Sequence, residues 1–184
     1  MKKFWWLYAV SVLILGCANT MQAPALHDFG LNNSMPSHYP QLPASAGINV
    51  VAPKWLNDVR IHYRLLYDQP TRVRFYNLDL WIAPAPDLLK LHLESKRLDP
   101  NYSLLIHLFN FEQQFETPGD TSVLLRFSAE VSAASSKKRL GVKEFVLRSG
   151  KVSPDAQGAV IGFAELAEQA AEQIRAWLEN LADA

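Results

Sequence analysis

Hydrophobic and polar residues alternate cleanly over several stretches of the chain, and the longest begins at Val123. Val123, Leu125, Phe127, Ala129 and Val131 alternate there with Leu124, Arg126, Ser128 and Glu130, the period-two pattern of a strand with one buried face. Before it, Tyr102, Leu104, Ile106 and Leu108 share one phase. The phase flips at Phe109, so that Phe109, Phe111 and Phe115 share the other, and one extra residue, a β-bulge, reconciles the two. Thr117-Pro118-Gly119-Asp120 supplies the turn between the two arms. A third strand is predicted over Leu140–Leu147, with a phase change near Lys143-Glu144. Two short reverse connections make these three strands an antiparallel meander.

Upstream, Ile48-Asn49-Val50-Val51 reads as a short apolar strand ended by Pro53. Val59, Ile61, Tyr63 and Leu65 alternate with Arg60, His62 and Arg64. After the turn at Asp68-Gln69-Pro70, Val73 and Phe75 form the apolar phase of the next strand against Arg72, Arg74 and Tyr76. An aromatic-rich stretch, Tyr76–Trp81, leads to Pro84-Ala85-Pro86. Pro86 suits a helix opening, because its fixed φ fits the first turn and no N–H is needed there. Leu88, Leu89, His92 and Leu93 fall on one face of that helix, which ends before Asp99-Pro100. The final helix is the longest: Phe163, Leu166, Ala167, Ala170, Ile174, Trp177, Leu178 and Leu181 recur at three- and four-residue steps. Its polar side holds more acid than base, which favours core packing over a membrane surface. The order of elements predicts an α+β domain, a largely antiparallel mixed sheet with two amphipathic helices packed on one face.

The first seventeen residues follow another pattern. Lys2 and Lys3 precede an apolar run from Phe4 to Leu15, too short for a membrane span, and the stretch ends in Gly16-Cys17. This is a secretory signal, expected to occupy residues 1–16. Ile14, Gly16 and Cys17 resemble the bacterial lipobox at −3, −1 and +1. Cleavage is then expected between Gly16 and Cys17, with Cys17 carrying a diacylglyceryl thioether and an N-acyl chain. One acyl chain anchors a protein only marginally, at about 0.8 kcal/mol per buried CH₂, whereas two or three hold it nearly permanently. Ala18 stands where an aspartate would resemble an inner-membrane retention signal. The expected location is therefore the inner leaflet of the outer membrane, facing the periplasm. Residues 17–46 read as the lipidated N-terminus and a tether with four of the eleven prolines, interrupted by one short extended element at His27–Leu31. Residues 47–184 form the domain.

Composition narrows the function. Apolar residues at 49% and charged residues at 20% describe a globular chain. Eighteen basic and eighteen acidic residues leave no basic excess, so nucleic acid is not expected as a partner. Cys17 is the lone cysteine, so no internal disulfide is available. No phosphate loop, dinucleotide fingerprint or nucleophile elbow occurs, and no catalytic residue, metal or further cofactor is assigned. The five histidines make no His-x-x-x-His pair; His62 and His107 sit on polar strand phases, where solvated histidines are common. Glu112, Gln114 and Glu116 share a face beside the hairpin turn and read as a solvated edge rather than an acid–base pair.

Several short stretches, in order, resemble one family. Ala52-Pro53-Lys54-Trp55-Leu56, Ile61-His62-Tyr63-Arg64-Leu65 with Tyr67, Val73-Arg74-Phe75-Tyr76, and Trp81-Ile82-Ala83-Pro84-Ala85-Pro86 carry the first half. Phe111–Pro118 is similar to the family's hairpin, Ala164–Leu178 to its closing helix, and Asp28-Phe29-Gly30-Leu31 to its start. The family is that of the ABC-type transport auxiliary lipoproteins (PqiC-like). Leu80 and Ile82 depart from its pattern by making the surroundings of Trp81 more apolar. The resemblance implies a non-enzymatic anchor and docking subunit of an intermembrane lipid (phospholipid) transport system. Its partners would be an MCE-domain protein and, through it, an ABC permease and ATPase, with a homo-oligomer possible. The alternatives are an accessory or assembly lipoprotein for an outer-membrane barrel or lipopolysaccharide-export complex, and a lipid-modified enzyme. Tyr67, Tyr76 and Trp81, with Phe75, are the candidate docking cluster, since aromatics dominate interface hot spots. The competing reading, favoured for Phe75 and Trp81, has them capping the core.

Overall fold

The computed structural model describes residues 22–30 and 46–182. Strands β1 (Ala25–His27), β2 (Gly47–Val51), β3 (Arg60–Leu65) and β4 (Val73–Trp81) precede helix α1 (Ala85–Ser95). Strands β5 (Tyr102–Thr117), β6 (Asp120–Ala133) and β7 (Arg139–Arg148) then lead to helix α2 (Ala156–Ala182). A single turn of 3₁₀ helix, Lys54–Leu56, joins β2 to β3.

All seven strands form one sheet in the order β1-β4-β3-β5-β6-β7, with β2 also beside β5. The meander is as the alternation predicts. β5 and β6 pair antiparallel from Tyr102↔Ala133 to Thr117↔Asp120, and the register slips between Leu108 and Asn110, where the flip in phase required an extra residue. Phe109 is that residue, and it is exposed; Phe111 and Phe115 return to the buried face. On the other side of β5, two strands share its length. β2 runs parallel to residues 103–107 and β3 parallel to residues 113–115.

Both helices cover one face of the sheet, as expected, and Leu56, Ile61, Trp81, Phe111, Phe127 and Phe163 lie at the centre between the layers. Phe163 stacks on Phe111 at 3.7 Å between ring centroids, and Trp81 meets both edge-on. Each such side chain contributes about 1.5–3 kcal/mol on burial. Two glycines let the helix approach the sheet and the loop that precedes it closely. A Cβ on Gly162 would stand 2.5 Å from Val123, and one on Gly158 would overlap the Ser153 carbonyl. Asp155 caps the helix by accepting the Gly158 N–H at 2.7 Å. The apolar stripe read from Phe163 to Leu181 begins two turns earlier, at Ala156, and is buried against the sheet and α1.

Three expectations need correction. First, β7 has no phase change: its pairing with β6 is continuous from Leu124↔Arg148 to Val131↔Gly141, which leaves Leu140, Val142 and Val146 exposed on the far face. Second, β4 is inverted. Tyr63↔Arg74 and His62↔Phe75 are cross-strand partners, so β3 turns Tyr76 and Arg74 towards the helices and Val73 and Phe75 away from them. Third, the extended element in the N-terminal stretch lies at Ala25–His27 and belongs to the sheet, parallel to Asp79–Trp81. Phe29 packs behind it on Trp81, Phe111 and His92. Gly16 and Cys17 lie outside the described residues.

Candidate docking surface

Two kinds of side chain occupy the sheet face turned away from the helices, buried at its centre and exposed around it. The first is a polar chain that links β3, β5, β6 and β7. Arg64 on β3 donates from Nε to both carboxylate oxygens of Glu112 at 3.0 Å, and from Nη1 to the Pro70 carbonyl at 3.1 Å. Gln114 donates to Glu112 Oε1 at 2.8 Å and accepts from Arg148 Nη2 at 2.9 Å. Arg148 Nη1 donates to Ser122 Oγ at 2.8 Å. Glu112 is only 1% exposed, and Gln114 is buried too, so the expected solvated edge is a closed network; Glu116 alone of the three is exposed. The carboxylate spends its acceptors on Arg64 and Gln114, which leaves it poorly suited to acid–base work.

His62 is also buried, contrary to its polar strand phase, whereas His107 is exposed as expected. Its Nε2 lies 3.5 Å from Asp58 Oδ1, and the Trp55 ring is 6.2 Å away. Loss of water lowers its pKa below the usual histidine value of 6.5, with Arg60 and Arg64 acting in the same direction and Asp58 and Glu112 opposing. The imidazole is therefore neutral at pH 7. Among the described residues no group of three or more His, Cys, Asp or Glu is placed to hold a metal ion.

The second kind is apolar. Trp55, Val73, Phe75, Phe109, Val142 and Val146 stand exposed around the network. Two of the aromatics carry a guanidinium on the ring: Arg60 lies 4.4 Å from the centroid of Phe75, and Arg126 lies 5.6 Å from that of Phe109. Arg126 also donates to Glu144 at 2.6 Å. Exposed aromatic and arginine side chains are among the residue types enriched at protein–protein interfaces.

The three residues picked from sequence do not meet on this surface. Trp81 is 1% exposed and belongs to the core, as the capping reading had it. Tyr76 lies on the helix side, half-buried, where its hydroxyl donates to Gln113 Oε1 at 2.6 Å and burial raises its pKa. Tyr67 is exposed, in the turn after β3. Phe75, read as core, is 41% exposed instead. Trp55, Phe109, Arg60 and Arg126 went unnoticed. The cross-strand register that places them depends on partners far along the chain, though the extra residue at Phe109 was itself a signal.

No family model matches the sequence, and no curated protein does. Solved structures do. A crystal structure of a Xanthomonas campestris protein of the family model DUF330 superposes with a TM-score of 0.65 at 17% identity, over 88% of this chain and 95% of that one. A second, described as an uncharacterized protein, gives a TM-score of 0.64 at 14% identity, over 85% of this chain and 99% of its own. This chain thus has the fold of a DUF330 protein.

Proposed function

We propose that this chain is a docking and anchoring lipoprotein of an MCE/ABC-type intermembrane lipid transport system, held in the outer membrane through Cys17 and facing the periplasm. The observation that carries the reading is the sheet face turned away from the helices, where exposed aromatic and arginine side chains surround the hydrogen-bonded chain from Arg64 to Arg148. Such a face binds a protein partner better than it transforms a small substrate. Two further observations support the reading. The fold is that of a DUF330 protein, and DUF330 is the ABC-type transport auxiliary lipoprotein family whose motifs the sequence resembles. The lipobox supplies the anchor. In this role the domain performs no chemistry; it offers the far membrane a fixed point at which the MCE-domain protein ends.

The test is affinity capture of the detergent-solubilised full-length chain from its native membranes, with identification of co-purifying proteins and mass measurement of the mature N-terminus. Recovery of an MCE-domain protein with its permease and ATPase supports the proposal. Recovery of an outer-membrane barrel or lipopolysaccharide-export components instead transfers the chain to the accessory-lipoprotein class, and an unmodified Cys17 removes the anchor.

A further inference from the structure

A second apolar surface lies at the β1 edge of the sheet. Leu26 on β1, Ile82 just after β4 and Ile161 on α2 are 63%, 61% and 49% exposed. They line one shallow groove of about 380 Å³, together with His27, Asp28, Phe29, Gly30, Val160 and Ala164. The groove has a rigid base. β1 is in register with Asp79–Trp81, the Ile82 N–H donates to the His27 carbonyl at 2.8 Å, and His27 Nε2 is 2.8 Å from Asp79 Oδ1.

The length of chain ahead of β1 says what faces this corner. Only eight peptide steps separate Cys17 from Ala25. Fully extended, they reach about 26 Å at roughly 3.3 Å per residue. Helix α2, at 27 residues and 1.5 Å each, is about 40 Å long. The connection is thus shorter than the domain it holds, and it keeps the corner where it enters within about 26 Å of the lipidated residue. We infer that Leu26, Ile82 and Ile161 form a membrane-contacting corner that rests on the lipid surface and fixes the domain's orientation there. This inference rests on the lipidation of Cys17 in the proposed function and adds a contact by the folded domain itself. Neither lysine nor arginine lines the groove, so the contact is one of apolar side chains entering the interface rather than of attraction to anionic headgroups. The sheet then runs outward from the bilayer, β1 nearest and β7 farthest.

The chain's single cysteine makes the test direct. Leu26→Cys, Ile82→Cys and, as the distal control, Val142→Cys are produced as full-length lipoproteins, labelled with a polarity-sensitive fluorophore, and reconstituted into phosphatidylethanolamine–phosphatidylglycerol or pure phosphatidylcholine vesicles. Lipidated Cys17 takes no label, so the unsubstituted chain should stay dark. The expected result is blue-shifted emission at 26 and 82, quenched by nitroxide lipids in both vesicle types and unaffected by salt, with water-like emission at 142. Chains that float with the vesicles but show water-like emission at 26 and 82 overturn the contact and leave the anchor standing. A signal confined to anionic vesicles and lost in salt also overturns it. A chain that labels at Cys17 and does not float overturns the anchor and the contact together.

Discussion

Arg64 and Glu112 are forty-eight residues apart, and they set the energetics of the open face. A buried ion pair is costly to form but far costlier to halve, because the surviving charge keeps its desolvation penalty. Glu112→Gln should therefore destabilise the protein by about 3 kcal/mol, read from the denaturant midpoint, whereas replacing the exposed Glu116 in the same way should change little. His62 supplies a pH dependence of definite sign. Its pKa in the folded protein lies below 6.5, so between those values the unfolded chain takes up a proton that the folded one refuses. His92, desolvated and close to Lys96, acts in the same direction. The contribution of both is undiminished above about pH 6.5 and lost as pH falls through the folded values. The melting temperature should accordingly drop between pH 7.5 and 5.5, and His62→Gln with His92→Gln should flatten that slope. None of this is visible in the residue pattern. Glu112, Gln114 and His62 occupy polar phases, and what buries them comes from other strands.

Strands and helices are more legible, because their periods are written locally. The β5–β6 hairpin, its bulge and the amphipathic stripe of α2 follow directly from alternation and three- and four-residue spacing. The inversion of β4 has the opposite origin. Val73 and Phe75 are the more apolar phase, yet Tyr63↔Arg74 pairing overrides that preference. Their exposure is offset by Arg60 over the Phe75 ring, while Tyr76 satisfies its hydroxyl on Gln113. In β7, the expected phase change near Lys143-Glu144 would put Val142 on the side of Phe145 and Leu147; the unbroken ladder to β6 keeps Val142 outside. β1 gave almost no local signal, since three residues gain their meaning only from a partner strand some fifty positions later. At the entry to α2, Gly158→Ala forces a methyl against the Ser153 backbone, which cannot rotate away. That substitution should cost about 3 kcal/mol in equilibrium unfolding, at the upper end for overpacking, despite alanine's better helix propensity.

At the scale of the whole molecule, the proposed function assigns partner capture to the exposed rings of the open face rather than to the core. Phe75→Asp combined with Phe109→Asp should therefore abolish capture of the partner while shifting the melting temperature by only a few degrees; an equal loss of stability and capture would place these rings in the fold instead. The aromatic core also has a temporal consequence. Phe29, Trp81, Phe111 and Phe163 interlock, so the innermost contacts join the earliest part of the domain to the latest. The β5–β6 hairpin can zip at once, but a chain emerging N-terminus first has no finished interior until α2 has emerged too. Until then Phe111 has no stacking partner, and the half-made sheet shows bare aromatic surface on the side that α2 will cover. A holding chaperone has that interval in which to find it.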